Sequence, residues 1–163
     1  MTTVTSVVPV DGGGEHIWFL GAGLVTIKVP GEAVDNRCTV VEFLMPHGLS
    51  PPKHTHPQDE AFVMLDGEVT FVADERRFVA RTGDSWVVPR GIPHTFLVDS
   101  ESCRMVAVYT PAGPEHCFRN GGVPAAAPTL PPPDAPTRPM EEIEAAMTAY
   151  DHKNVGPPLG PDD

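Results

Sequence analysis

The chain has 163 residues, a length typical of one domain, and 40% of the residues are apolar, enough to build a core. Its net charge of −11 makes nucleic acids and anionic membrane surfaces poor partners. The 20 prolines and 15 glycines indicate many turns, which favours an all-β domain. The three cysteines are widely spaced, so we expect no disulfide framework. Neither a basic amino-terminal signal nor a long apolar segment is evident, so we expect a soluble, cytoplasmic protein.

Short apolar runs, rich in β-branched and aromatic residues and separated by turn residues, follow a segment at 1–15 that we expect to be flexible. The predicted strands are His16–Leu20, Leu24–Val29, Cys38–Met45, Glu60–Leu65, Glu68–Ala73, Arg76–Arg81, Ser85–Pro89, His94–Val98 and Cys103–Thr110. About nine short strands with regular turns predict a barrel or a double-sheet jelly roll over residues 16–110.

Asp66-Gly67 lies between two of these strands and predicts a two-residue hairpin in which Phe62 faces Phe71. Strand alternation would then leave a second, largely apolar set of side chains on the outer face. That set is Ala61, Val63, Leu65, Thr70 and Val72. Because exposed apolar patches usually mark contacts, we expect a homodimer, unless the carboxyl-terminal residues cover this face.

Residues 111–163 differ in composition from the rest of the chain. Many of the prolines fall within 111–139, which predicts an extended arm. Apolar residues at helical spacing then predict one short helix at Met140–Tyr150, with Ile143 and Met147 on its apolar face. Plain disorder is the alternative. We expect the arm, the helix and the tail to pack on the barrel, because these apolar side chains would otherwise be exposed.

Two stretches of the chain, Gly48–Gly67 and Gly83–His94, hold residues suited to bind a metal. His54 and His56 are two positions apart, so on an extended segment they project to the same face, and Glu60 would share that face. His94 lies in the second stretch. Three imidazole nitrogens and a carboxylate suit one divalent first-row metal with open coordination positions. Glu60 is either a fourth ligand or a nearby base.

The spacing of these residues resembles that of the cupin superfamily. The first cupin motif, G(X)5HXH(X)3–4E(X)6G, and the second, G(X)5PXG(X)2H(X)3N, agree with the sequence at nine positions. These are Gly48, His54, His56, Glu60, Gly67, Gly83, Pro89, Gly91 and His94. The last position of the second motif departs from the pattern, because it is Val98 and not Asn. The resemblance implies the cupin fold, a double-stranded β-helix or jelly-roll barrel.

Alternation along the strands predicts an apolar, partly aromatic pocket beside the metal. Its predicted lining is Phe62, Met64, Phe71, Phe96 and Val98. Such a lining favours a flat aromatic or apolar ligand. The alternative is that these side chains simply fill the barrel.

The flanks of the motifs, TPAGPEHCFRN and the later GPP, resemble the quercetin 2,3-dioxygenase-like group of single-domain cupins. That resemblance implies a metal-dependent dioxygenase that acts on a flavonol or a related aromatic or polyketide molecule with O2. Glu60 would remove the proton of the substrate's enol hydroxyl. We expect iron ahead of manganese, nickel, cobalt, copper or zinc, all of which accept these ligands. The alternatives are a metal-dependent isomerase, cyclase or hydrolase, and a non-catalytic binder of small ligands.

Overall fold

A computed structural model describes residues 13–163, within which the chain forms twelve strands, two α-helices and one 3₁₀ turn. In chain order the strands are β1 (Glu15–Phe19), β2 (Gly23–Val29), β3 (Thr39–Pro46), β4 (Lys53–Thr55), β5 (Asp59–Asp66), β6 (Glu68–Ala73), β7 (Arg76–Arg81), β8 (Ser85–Val88), β9 (His94–Val98), β10 (Ser102–Thr110), β11 (Val123–Pro124) and β12 (Lys153–Gly156). The helices are α1 (Pro114–Gly121) and α2 (Met140–Thr148), and the 3₁₀ turn spans Gly31–Val34. Residues 1–12, most of the segment that we expected to be flexible, lie outside the described residues.

The strands form two antiparallel sheets whose inner faces share one core. The first sheet has the order β11-β1-β2-β3-β10-β5-β8, and the second has the order β12-β4-β9-β6-β7. Met64 and Met105 of the first sheet and Phe71 and Val98 of the second are almost fully buried in the same cluster. The predicted all-β jelly roll is therefore confirmed. Its core forms because inward-facing positions of both sheets are apolar.

The predicted hairpin at Asp66-Gly67 is wrong, because β5 and β6 belong to different sheets. β5 pairs with β10 and β8, whereas β6 pairs with β7 and β9. Gly67 carries the chain from one sheet to the other with a φ of +91°, and a Cβ there would lie 2.5 Å from the backbone oxygen of Ser102. The predicted inward faces are nonetheless correct. The rings of Phe62 and Phe71 meet edge to face across the core at 5.3 Å.

The outer face of β5 points away from the core, as predicted, and no other part of the described chain covers it. Val63 and Leu65 are 42% and 40% exposed, and Val87 on the edge strand β8 is 62% exposed. Thr70 differs from the prediction, because it is buried and donates a hydrogen bond to Asp99 Oδ2 at 2.8 Å. Val63, Leu65 and Val87 therefore form an exposed apolar patch on the first sheet.

The carboxyl-terminal residues contain more structure than the sequence predicted. Helix α2 begins at the predicted residue, but α1 was not expected, because a proline-rich sequence suggested an extended arm. Pro114 occupies the first turn of α1, where its missing N–H costs nothing. Phe118 on α1 contacts the rings of Phe19 and Phe43 edge to face at 5.3 and 5.6 Å. Helix α1 is thereby packed on the first sheet.

Glu115 connects α1 to the 3₁₀ turn at Gly31–Val34. Its buried carboxylate accepts hydrogen bonds from the backbone N–H of Gly31 at 3.0 Å and of Gly113 at 2.8 Å. Burial opposes ionisation of Glu115, but the nearby Thr39 hydroxyl and the hydrogen bonds from backbone N–H groups outweigh it and lower its pKa. The helix is therefore fixed to the 3₁₀ turn by a charged group. Within residues 13–163, no helix has the length and apolar character needed to cross a bilayer.

Candidate metal centre

The three predicted histidines come together where β4 and β9 pair. His54 on β4 is in register with His94 on β9, and His56 follows β4 by one residue. All three side chains are buried, and their ligating nitrogens lie within 4.8 Å of one another. Because the pairing of two short strands positions two of the histidines, the site depends on the local geometry of the second sheet.

Hydrogen bonds to backbone carbonyls set the orientation of two of these rings. His54 donates its Nδ1–H to the oxygen of Pro52 at 2.7 Å, and His94 donates its Nδ1–H to the oxygen of Ile92 at 2.9 Å. A carbonyl oxygen can only accept, so Nδ1 carries the proton and Nε2 keeps a free lone pair. Histidines that bind a metal through one nitrogen usually donate the other ring N–H to a carbonyl or carboxylate in this way.

Glu60 reaches the histidines from the first sheet. Its Oε2 accepts a hydrogen bond from His56 Nε2 at 3.0 Å and lies 3.2 Å from His94 Nε2. Burial raises the pKa of Glu60, but the contacts with His56 and His94 outweigh it and lower the pKa to about 2. Glu60 is not part of the group of ligand atoms that all lie within 4.8 Å of one another. The carboxylate is thus ionised and borders the histidine cluster.

The pKa of the remaining titratable groups at this site also reflects their burial. Burial, followed by the nearby rings of His94 and His152, lowers the pKa of His54 well below its ordinary value. Burial, followed by the carboxylate of Glu60, raises the pKa of Tyr109 well above its ordinary value. The histidine is therefore neutral and the phenol keeps its proton at neutral pH, so Tyr109 can donate a hydrogen bond to Glu60.

A metal ion fits the donor set at this position. His94 Nε2 is buried and has no hydrogen-bond partner in the described part of the chain, although burying such an atom unpaired is costly. A neutral imidazole nitrogen with a free lone pair is the commonest protein ligand of transition metals. The three histidines could hold such an ion, and several transition metals fit these donors.

A cavity of about 620 Å³ opens beside the histidines. Of the predicted pocket residues, Phe62 and Phe96 line it. Met64, Phe71 and Val98 do not, and they fill the core beyond the cavity. The physical reason is that the closed end of the jelly roll is filled by side chains, as when Phe71 packs against Trp86 at 5.2 Å. The space is therefore at the open end, beside the histidines.

Other parts of the chain complete the cavity wall, and the sequence did not indicate most of them. Gln58 lies between the metal-site residues, and its buried Oε1 has no hydrogen-bond partner within residues 13–163. Tyr109 is opposite Glu60 in the pairing of β10 with β5, a position that alternation along β10 could have identified. Helix α2 and His152 form the opposing wall. The sequence around His152 contains no pattern that predicts its position, because strand β12, which follows it, has only four residues.

Burial, followed by the rings of His56 and His94, lowers the pKa of His152 to about 4. Its ring stacks on His54 with centroids 4.4 Å apart. A fourth histidine, itself neutral at neutral pH, therefore borders the cluster.

A comparison with known families identifies the central part of the chain. The family described as Cupin domain matches residues 40–109. This segment is a cupin domain. It extends from β3 to β10 and contains the three histidines and Glu60. The cupin resemblance of the two motifs is thus confirmed.

Two known proteins are similar to part of the chain at the same identity. The chain is 29% identical over 104 residues to quercetin 2,3-dioxygenase of Bacillus subtilis, covering 63% of this chain and 30% of that protein. It is 29% identical over 106 residues to endoribonuclease YbeY of Myxococcus xanthus, covering 64% of this chain and 33% of that protein. The chain therefore spans about a third of the length of either relative.

A solved structure agrees on the fold. An RmlC-like cupin from Shewanella frigidimarina superposes with a TM-score of 0.55 at 18% identity, covering 62% of this chain and 87% of that chain. At this identity the similarity shows the fold alone.

Proposed function

We propose that the protein is a metal-dependent cupin dioxygenase, similar to a quercetinase, that oxidises a flavonol or a related aromatic or polyketide molecule with O2. The observation that carries this proposal is the histidine cluster at the end of a cavity of about 620 Å³. A cavity of this size with mostly apolar walls suits a flat ligand with a few polar groups. The partial identity to a quercetin 2,3-dioxygenase supports the same substrate class.

His54, His56 and His94 would hold one divalent transition metal, with Glu60 as a fourth ligand or as a base beside it. We propose that this metal is iron. The same donors also accept manganese, nickel, cobalt, copper and zinc. When bound, such an ion would lower the pKa of a hydroxyl that contacts it, and a redox-active ion such as iron would also supply chemistry with O2.

The chain's own residues bind the substrate and accept a proton. Phe62 and Phe96 would pack against the rings of the substrate and exclude water from its reacting end. Glu60 Oε2, ionised at neutral pH, would accept the proton of the substrate's enol hydroxyl. Tyr109, which pairs with Glu60 across the strands and keeps its phenolic proton, would help to position that carboxylate.

Oxygen uptake tests this proposal. We expect the iron-loaded protein to consume O2 on addition of a flavonol, and the chelated protein to consume none. The measurement is an oxygen electrode, with product formation followed by mass spectrometry. Turnover of the flavonol under argon would instead favour an isomerase, cyclase or hydrolase. Binding without turnover in either gas would favour a non-catalytic cupin.

We also propose that the protein is a homodimer that pairs through the exposed face of β5 and β8. Val63, Leu65 and Val87 form an apolar patch there, and patches of this kind usually mark contacts. We expect light scattering at micromolar concentration to give twice the 17.5 kDa mass of one chain. Val87→Glu should shift the protein to monomers. Val155→Glu is the matched control, because Val155 is 53% exposed but lies on β12 of the other sheet. A monomer mass for the unaltered protein contradicts the proposal.

A further inference from the structure

His152 lies outside the cupin segment, yet the backbone on both sides of it is fixed. On one side, its N–H donates to the oxygen of Met147 at 3.2 Å, at the end of α2. On the other, β12 pairs with β4 so that Asn154 is in register with His54. The residue therefore reaches the histidine cluster through regular structure, and its position follows from the packing of the carboxyl-terminal residues.

The ring of His152 lies against the face of the metal site that borders the cavity. It stacks on His54 with centroids 4.4 Å apart and an interplanar angle of 18°, and on His56 at 6.2 Å and 26°. It also lines the cavity. It does not belong to the group of ligand atoms within 4.8 Å of one another, so the three histidines form that group without it.

The hydrogen bonding of His152 differs from that of its neighbours. His54 and His94 each donate Nδ1–H to a backbone carbonyl, which fixes their tautomers. Among residues 13–163, no group holds the ring of His152 in that way. A neutral imidazole has one N–H donor and one acceptor nitrogen. Because the ring borders the cavity, a ligand that enters the cavity is the available partner.

We propose that His152 is a substrate-contacting residue, whose imidazole hydrogen-bonds the oxygen atom that a bound ligand presents to the histidine cluster. This inference rests on the proposed metal site. If His152 has this role, the carboxyl-terminal residues are part of the site. The ligand is then one that carries an oxygen atom at the end that enters the cavity. The alternative is that the ring only packs on His54 and anchors β12.

Two substitutions separate hydrogen bonding from packing. His152→Phe keeps a flat ring that can stack on His54 but has no hydrogen-bonding atom, whereas His152→Gln loses the ring and keeps such atoms. The probe is acetohydroxamate, a small oxygen chelator, titrated into the Co²⁺-loaded protein and followed by the visible absorption of Co²⁺. We expect His152→Phe to weaken acetohydroxamate binding by about tenfold, the usual effect of one lost hydrogen bond, and His152→Gln to weaken it by less.

The matched control is His116→Phe. His116 also stacks on a ring of the carboxyl-terminal residues, that of Tyr150 at 5.2 Å, but it does not line the cavity. We expect this control to bind acetohydroxamate like the unaltered protein. His152→Ala serves as a second loss variant, and Co²⁺ stoichiometry shows that each variant retains the site.

Unchanged acetohydroxamate affinity in Co²⁺-loaded His152→Phe, or in His152→Ala if the former does not fold, would overturn the inference. Failure of the unaltered Co²⁺ protein to bind acetohydroxamate would overturn it as well. Failure to bind Co²⁺ would overturn the proposed metal site and this inference with it. Absence of oxygen uptake with a flavonol contradicts only the proposed reaction, so the two failures are distinguishable.

Discussion

Glu60→Gln should lower the rate of flavonol oxidation by about 10²–10⁴-fold, the usual contribution of a general base. Glutamine keeps the size and shape of the side chain, so the histidines should stay in place and most of the metal should be retained. What it loses is the capacity to accept a proton. Because the pKa of Glu60 is lowered to about 2, the unaltered carboxylate is unprotonated at neutral pH, the state that a proton acceptor needs.

The same substitution distinguishes a base from a ligand when metal content is measured beside oxygen uptake. If Glu60 is chiefly a ligand, metal affinity should fall, and added metal should partly restore turnover. Glu144→Gln is the matched control, because Glu144 lines the same cavity from α2 but does not belong to the histidine cluster. Unchanged oxygen uptake by a metal-loaded Glu60→Gln protein would remove Glu60 from the mechanism.

The histidine cluster was predictable because the positions of its residues depend on short-range rules. Strand alternation places His54 and His56 on one side, and the motif intervals add Glu60 and His94. The structure shows the register that joins them, with His54 opposite His94. It also shows a detail that spacing does not contain. Glu60 comes from the other sheet and borders the cluster beside His56 and His94.

The hairpin error shows where local rules end. An Asp-Gly turn permits a positive φ at Gly67, and this holds whether the chain reverses within one sheet or crosses to another. The choice depends on which strands offer partners to β5 and β6. β10 and β9 fill those places, and both follow later in the chain. No property of residues 60–73 alone could decide this.

The carboxyl-terminal part of the site was beyond sequence reasoning for a similar reason. Helix α1 is short, and it is stabilised by the contacts of Phe118 with the first sheet and by the bonds of Glu115 to Gly31 and Gly113. Strand β12 has four residues and depends on β4 for pairing. Elements of this size are specified by tertiary contacts, and the position of His152 follows from them.

Replacing a metal-binding histidine should have the largest effect on metal content. Loss of a group that merely orients a ligand typically costs 10–100-fold in metal affinity, so loss of a ligand should cost more than about 100-fold. We therefore expect His54→Ala and His94→Ala each to be purified with far less than one metal per chain by elemental analysis. His116→Ala should retain the metal, because His116 lies outside the cluster.

The two ligand variants should also differ from each other in the metal-free state. His94 contacts Glu60 Oε2, whereas His54 bonds only to a backbone carbonyl. His94→Ala also removes a ring that is 2% exposed and packs on Phe71 at 6.1 Å, whereas His54 is 8% exposed, so it leaves the more enclosed cavity and destabilises the fold more. We expect metal-free His94→Ala to unfold at a lower temperature than metal-free His54→Ala in thermal denaturation. Loss of activity alone would not decide the assignment, because misfolding has the same effect. Full metal retention in both folded variants would contradict the proposed ligand set.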